Sequence, residues 1–312
     1  MLQKNIINKK DKLLSIIVPA YNAWPYITDM VDSILSQTFK DYDLIIVNDG
    51  STDKTYEYLK NIRDERVKVI NKNNSGIIDS FNIALQQIYT PFVARMDADD
   101  ICDPTKYERQ IKYLIEHENC VLVGTSANHL SIDGKVSGWP VNMPKSHEEI
   151  IDALFKRRSA IIQPTIVVRT KALKEIGGYS PDVWPEDYNL YFKLGKKGQM
   201  ANLPECLYSI RLHESSLTSK NMIKLQTGYD NLMRIYWPEY HKEYGDTITL
   251  KASNAFLLRM DILSVILYRK GIYDFLNKRK AAGIMWMFCA SALNLKRFGL
   301  YVKRRLNKWF KK

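Results

Sequence analysis

The sequence predicts an α/β domain, a Rossmann-like, mostly parallel sheet with flanking helices, followed by a helical C-terminal region. Three observations carry that prediction. Apolar runs of strand length alternate with stretches of helical period, each of the first four runs ends in a polar loop, and strand-like segments stop at about residue 220. Strands joined by helical crossovers make parallel sheets, in which ligands bind outside the carboxyl ends of the strands.

The first run, from Leu14, is β-branched and continuous, and it ends in Pro19, Ala20, Tyr21 and Asn22, a buried strand entering a loop. Ile27, Met30, Val31, Ile34 and Leu35 follow at helical spacing. DLIIVNDGSTD (43–53) gives a second strand and polar loop, KVINKNNSG (68–76) a third strand end, SFNIALQQI (80–88) a helix, and PFVARMDADD (91–100) a fourth strand closing in acids. Beyond Cys120 the pattern loosens. VLVGTSANHL reads as a strand, SIDGKVSGWP as a glycine-containing turn region, HEEIIDALFKR as a helix and PTIVVR as a strand. KALKEIGGY ends a short helix at its glycine pair, WPEDYNLYFKLGKKG starts a helix with acids in its first turn, and CLYSIRLHESSLT is a late strand and loop. The expected domains are 13–220 for the α/β body and 221–312 for the helical region.

The 312 residues carry 46 Lys and Arg against 34 Asp and Glu, a formal charge of +12. Eight of those cations lie in Lys296–Lys312, which has no acid, so the body is only mildly basic and no nucleic-acid partner is expected. Interleaved with aromatic residues after the apolar stretch Ala281–Leu295, the tail reads as an amphipathic segment for an anionic membrane surface; a packed helix with a solvated end is the alternative. The apolar stretch is short of the roughly 20 residues that span a bilayer. Four scattered cysteines and a polar first dozen residues point to a cytoplasmic protein, peripheral on the inner face of the plasma membrane if the tail binds there.

The sharpest chemistry lies in MDADD, where Asp97, Asp99 and Asp100 close an apolar strand. Carboxylates two apart on an extended chain point the same way, so Asp97 and Asp99 can converge on one hard cation. The competing reading is a solvated strand end, with Asp100 or Asp103 capping the helix after Pro104. Asp49, before Gly50, has an ordinary reading as an Asx-turn residue. Glu186 and Asp187 open a helix behind Trp184 and Pro185, where acids also complement the macrodipole.

Together, SIIVPAYN, VNDGSTD, NNSG and ARMDADD, in this order and at strand ends, resemble the nucleotide-binding half of the inverting, GT-A-fold glycosyltransferases called family 2, of the bacterial surface-polysaccharide type. The resemblance runs from about Leu14 to Thr218. It implies a nucleotide-sugar donor, by family frequency a UDP-sugar, a Mn2+ or Mg2+ ion, and a saccharide or lipid-linked acceptor. It assigns Asp49 to the uracil N–H and places Tyr21, with Pro19, Ala20 and Asn22, in the loop that packs on the base, where an aromatic platform contributes about 1–3 kcal/mol. Asn74 and Gly76 match the family's Asn-x-Gly loop near the donor. Asp97, Ala98 and Asp99 match its acid motif for donor and metal, and His213 its metal or phosphate ligand. Relatives carry Ala-Arg-Asn where this chain has Ser80, Phe81 and Asn82; Arg95 then either faces the donor in place of that arginine or partners the acids structurally.

By the same resemblance Asp187 is the base that deprotonates the acceptor hydroxyl and Glu186 positions acceptor or donor, with the reverse assignment open. Arg157, Arg158 and Gln163 lie on the acceptor side without an assigned role. A nucleotidyltransferase is the alternative enzyme, but its Gly-rich phosphate loop does not follow Val18. A non-catalytic membrane- or nucleic-acid-binding module would have no use for Asp97, Asp99 and Asp187 together.

Overall fold

The computed structural model describes residues 12–131, 133–134, 136–156, 158–212, 222–245 and 255–293. The alternation of buried strands and amphipathic helices gives β1 (Leu14–Ala20), α1 (Ile27–Leu35), β2 (Tyr42–Asp49), α2 (Thr55–Leu59), β3 (Val67–Lys72), α3 (Ile77–Gln86) and β4 (Phe92–Arg95). These four strands pair in parallel in the order β3-β2-β1-β4. Three crossovers produce this order, which sets β1 between β2 and β4, so the carboxyl ends of β2, β1 and β4 stand side by side.

The second half departs from the parallel expectation. After β5 (Ile101–Cys102), α4 (Lys106–Glu116), β6 (Cys120–Leu130), β7 (Val136–Val141), α5 (His147–Phe155), β8 (Val167–Arg169), α6 (Thr170–Glu175), α7 (Glu186–Gly195) and β9 (Gln199–Arg211), the described sheet order is β3-β2-β1-β4-β8-β6-β9-β5, with β7 on β6. β8 is antiparallel to both β4 and β6, and β5 is antiparallel to β9. The sheet is thus mixed: parallel through its first four strands, with antiparallel pairs at β8 and β5. The expected turn region at 131–140 contains β7: a turn closed by Gly134 N–H on the Ser131 carbonyl, with Gly134 at φ +81°, sends the chain back as a strand beside β6.

Side chains alternate across the strands and build two cores. Ile17, Ile45, Val47 and Val93 join α3, α5 and α7 on one face, while Ile16, Val18, Leu44, Ile46 and Ala94 join α1 and α4 on the other. The first compact unit, Met1–His129 with Gly138–Ile210 and Lys224–Leu250, includes most of a further helix, α8 (Met222–Tyr244), whose Leu232, Met233, Tyr236 and Tyr240 belong to the first core.

The second unit comprises Leu130–Ser137, Arg211–Ile223 and Lys251–Lys312. Within it α9 (Ala255–Leu276) and α10 (Lys280–Leu293) form a hairpin. Small residues let the backbones approach: a Cβ at Gly283 would lie 2.6 Å from the Phe275 nitrogen, and Ser264 Oγ donates to the Ala290 carbonyl at 2.8 Å. Among the described residues no helix is long and apolar enough to cross a membrane. The basic tail lies outside the described residues.

Candidate active site

Strand order explains why residues far apart in sequence share one edge. Asp49 ends β2, Ala20 ends β1 and Arg95 ends β4, so the loops that follow are neighbours. The first two loops are laced together. Asn22, at φ +49°, offers its Oδ1 to the Thr52 N–H (2.8 Å), its own N–H donates to Ser51 Oγ (3.1 Å), and Ala23 N–H donates to Thr55 Oγ1 (2.9 Å). Pro19 and Ala20 are buried strand residues, and Tyr21 stands 52% exposed at the loop tip.

Asp49 lies at the centre of a second cluster. It is almost fully buried, and its carboxylate accepts from Lys72 Nζ (2.5 Å), Ser75 N–H (2.9 Å) and Gly76 N–H (2.9 Å). Burial pushes the carboxyl up, but these bonds outweigh it and hold the group below the usual carboxylate range. Asn74 Nδ2 donates to the Asp49 carbonyl at 3.0 Å, which ties the third loop to the second. Gly50, at φ +70°, allows the approach: a Cβ there would sit 2.7 Å from the Asn74 nitrogen. The Asx-turn reading of Asp49 therefore understates it, since its bonds reach 26 and 27 residues along the chain.

At the end of β4 the acids meet a buried cation. Arg95 is 3% exposed, its Nη2 is 3.5 Å from Asp97 Oδ1, and its guanidinium lies 5.3 Å from the centre of the Tyr179 ring. Its Nε and Nη1 are buried without a hydrogen-bond partner. Asp97 is raised above the carboxylate range, chiefly by desolvation, with Arg95 opposing and Asp99 and Glu186 adding to the rise. The Asp97 N–H donates to Tyr208 Oη at 3.3 Å, which anchors the acid loop to β9. Ala98 is buried between the two acids. Neither acid caps α4, whose N-cap is Thr105 without a side-chain cap bond: Asp103 Oδ1 accepts from Thr105 N–H (2.8 Å) in the turn before the helix, and Asp100 is 97% buried and adds to the burial that pushes the Tyr208 hydroxyl up.

Phe81 packs edge-on against Tyr179 at 4.9 Å. Asn82 clamps the Tyr179 backbone, donating to its carbonyl (2.8 Å) and accepting its N–H (3.1 Å). The segment thus builds the wall on which Arg95 rests.

Pro185 precedes α7, so Glu186 and Asp187 occupy its first turn. Glu186 is buried, while Asp187 retains partial exposure. Burial and then the neighbouring Glu186 charge push the Asp187 carboxyl up to about 7, against the pull of the Tyr188 N–H and of Arg95. The chain therefore brings Arg95, Asp97, Asp99, Tyr179, Glu186 and Asp187 into one mutually interacting cluster. Sequence reasoning missed Lys72, Ser75, Tyr179 and Tyr208; only the Gly177-Gly178 pair before Tyr179 flagged a sharp turn there. His213 and Arg157 lie outside the described residues.

Among the described residues no three His, Cys, Asp or Glu side chains converge to hold a metal. Asp97 and Asp99 alone fit a hard cation of the kind bound by one or two carboxylates and completed by substrate phosphates. Burial is the main cause of the Asp97 rise; the smaller part, repulsion from Asp99 and Glu186, is what such a cation would relieve.

The family model described as Glycosyl transferase family 2 matches residues 15–177, just over half of the chain. A glycosyltransferase of Haemophilus influenzae is 34% identical over 219 residues, covering 66% of this chain and 68% of that protein. Chondroitin synthase of Pasteurella multocida is 29% identical over 67% of this chain, which spans only 22% of that longer protein. An O-antigen biosynthesis glycosyltransferase of Escherichia coli is 25% identical over 65% of this chain and 81% of its own length. Among solved structures, S. aureus TarS 1-349 in complex with UDP-GlcNAc aligns with a TM-score of 0.56 at 18% identity, covering 92% of both chains. Mannosyltransferase PcManGT from Pyrobaculum calidifontis, in complex with GDP-Man and Mn2+, aligns at 0.56 and 15% identity over 96% of this chain and 84% of its own. Those two likenesses speak for the fold, and the sequence matches for the family: the chain belongs to glycosyl transferase family 2 and is a glycosyltransferase of GT-A fold.

Proposed function

We propose that the chain transfers a sugar, with inversion, from a UDP-sugar to a hydroxyl of a saccharide or lipid-linked acceptor, with Asp187 as general base. The observation that carries this reading is the Asp187 carboxyl, pushed up to about 7 beside the cluster of Arg95, Asp97 and Asp99 at the end of β4. A base poised near 7 is half deprotonated at neutral pH and strong enough to take a hydroxyl proton as that oxygen attacks. In the step, the acceptor O–H proton passes to Asp187, the oxygen bonds to the anomeric carbon, and the bond from that carbon to the diphosphate breaks on the opposite face. Glu186 raises the base by its charge and positions a sugar hydroxyl.

Asp49 receives the base of the nucleotide, with Tyr21 as its platform and Pro19, Ala20, Asn22, Asn74 and Gly76 shaping the pocket. Asp97 and Asp99 would hold Mn2+ or Mg2+, joined by His213. When bound, that cation supplies charge neutralisation at the departing diphosphate. Arg95, with two unpaired nitrogens, has hydrogen-bonding capacity left for a donor oxygen while it orients Asp97. Division of the chain near residue 220 belongs to the same reading, as does a peripheral place on the cytoplasmic face of the membrane through Lys296–Lys312.

The test is a panel of nucleotide sugars assayed for binding and turnover with Mn2+, Mg2+ or EDTA, on wild type, Asp99→Ala and Asp187→Asn. We expect one UDP-sugar to turn over, EDTA to abolish turnover, Asp99→Ala to lose metal-dependent binding, and Asp187→Asn to bind donor without turnover. Metal-independent turnover, or an active Asp187→Asn, would contradict the assignment.

A further inference from the structure

Helix α8 follows the α/β body in sequence, yet it lies along α7, the helix that carries Glu186 and Asp187. Four residues of α8 set the register. A Cβ at Gly228 would overlap the Trp184 carbonyl oxygen and lie 2.8 Å from Pro185 Cδ, so the α8 backbone abuts the turn that presents the two acids. Next to it, Tyr229 meets Tyr188 edge-on at 4.5 Å. Two turns on, Tyr236 Oη donates to Asn189 Oδ1 (2.7 Å) and its ring stacks on Phe192 at 4.7 Å. A turn further, Tyr240 Oη donates to the Phe192 carbonyl (2.7 Å), and a Cβ at Gly195 would come within 2.5 Å of that hydroxyl.

We propose that α8 is a brace for the catalytic turn, with Gly228 and Tyr229 as positioning residues that fix the place of Asp187 and close it from solvent. The proposal rests on Asp187 being the base. Its logic is geometric: Tyr188 is held by its own hydroxyl on the Arg158 carbonyl (2.8 Å) and by the Tyr229 ring packed edge-on against it, so two contacts fix the residue next to the base. A catalytic group held by packed neighbours keeps its attack geometry, and small displacements are costly in rate. The groups that face Asp187 are Glu186, Tyr188 and Tyr191 from α7, Arg95 from β4 and Tyr229 from α8. Removing the Tyr229 ring lets water reach the carboxyl and reduces the burial that holds it up.

The test compares Tyr229→Leu, Tyr229→Phe, Tyr236→Phe and Asp187→Asn for kcat, donor Kd, Tm and the pH dependence of kcat. For Tyr229→Leu we expect kcat to fall about tenfold to a hundredfold, donor Kd to stay within about twofold, and the acid limb of the profile to move to lower pH. Tyr229→Phe keeps the ring and restores both. Tyr236→Phe, which removes only one hydroxyl and is least able to unfold the chain, shows a smaller fall in kcat at unchanged Kd. Unchanged kcat and acid limb in Tyr229→Leu would overturn the brace, whatever Tm or Tyr236→Phe does. The failures are distinguishable: an active Asp187→Asn removes the base reading itself, whereas an inactive Asp187→Asn beside a fully active Tyr229→Leu removes only the brace.

Discussion

Two aspartates on the same side of the sheet have been driven in opposite directions. Asp49 is enclosed by donors, Lys72 and two backbone N–H groups, which hold its carboxyl below the usual carboxylate range. Asp187 is desolvated beside another carboxylate, with the Tyr188 N–H and Arg95 too weak to compensate, and is pushed up to about 7. Both are desolvated, so burial alone does not decide; the partners do. A group that must hold a ligand benefits from a fixed charge, while one that must accept a proton has to be able to carry it. The contrast fits a donor-binding half built from parallel strand ends and an acceptor half built on α7.

The comparison can be broken most severely at the base. Asp187→Asn should lower kcat by about 10²- to 10⁴-fold, the range for loss of a general base, and leave donor Kd unaltered, as single-turnover assays and calorimetry would show. Asp49→Ala should do the reverse, weakening nucleotide binding by about 1.5–3 kcal/mol, the worth of a hydrogen bond to a charged group, with kcat at saturation little changed. Gly50→Ala tests the hinge between the second and third loops. The positive φ and the Asn74 backbone oppose it, so a loss of about 1–3 kcal/mol is expected in urea unfolding.

The smallest effect sharpens the electrostatic half. Asp49 is held low, so its contribution to stability is present above the ordinary carboxylate range and is lost as pH falls through its depressed value. Lys72→Met removes one of the groups that lower it, so the folded value moves back toward the unfolded one, the stability it contributes at neutral pH shrinks, and the acid-unfolding midpoint should be displaced upward.

Much of this contrast was legible in the sequence, and the missing part has a common cause. Continuous apolar runs announced β1, β2 and β4, because a strand buried on both faces needs no alternation, and the acids at their ends followed from strand geometry. The antiparallel joins of β8, β6 and β9 were not legible, since short apolar strands carry no sign of direction. Asp49 was found, but Lys72, 23 residues away, was not: its pairing exists only because β2 and β3 are in register from Leu44–Val67 to Asp49–Lys72. Likewise Arg95 stood in the sequence between two readings. It is buried against Tyr179, itself fixed by Asn82 and Phe81, and its guanidinium reaches Asp97, an arrangement made by contacts spanning the chain.

The most direct measurement is the pH dependence of kcat for wild type and Asp187→Asn, with donor and metal saturating. Wild-type turnover should rise with pH through a single ionisation near 7, because the base acts only when deprotonated, and the residual rate of Asp187→Asn should lack that limb. A wild-type profile flat across about pH 5 to 9, or a limb near 7 that survives in Asp187→Asn, would contradict the assignment of Asp187 and move the search for the base elsewhere on the sheet edge.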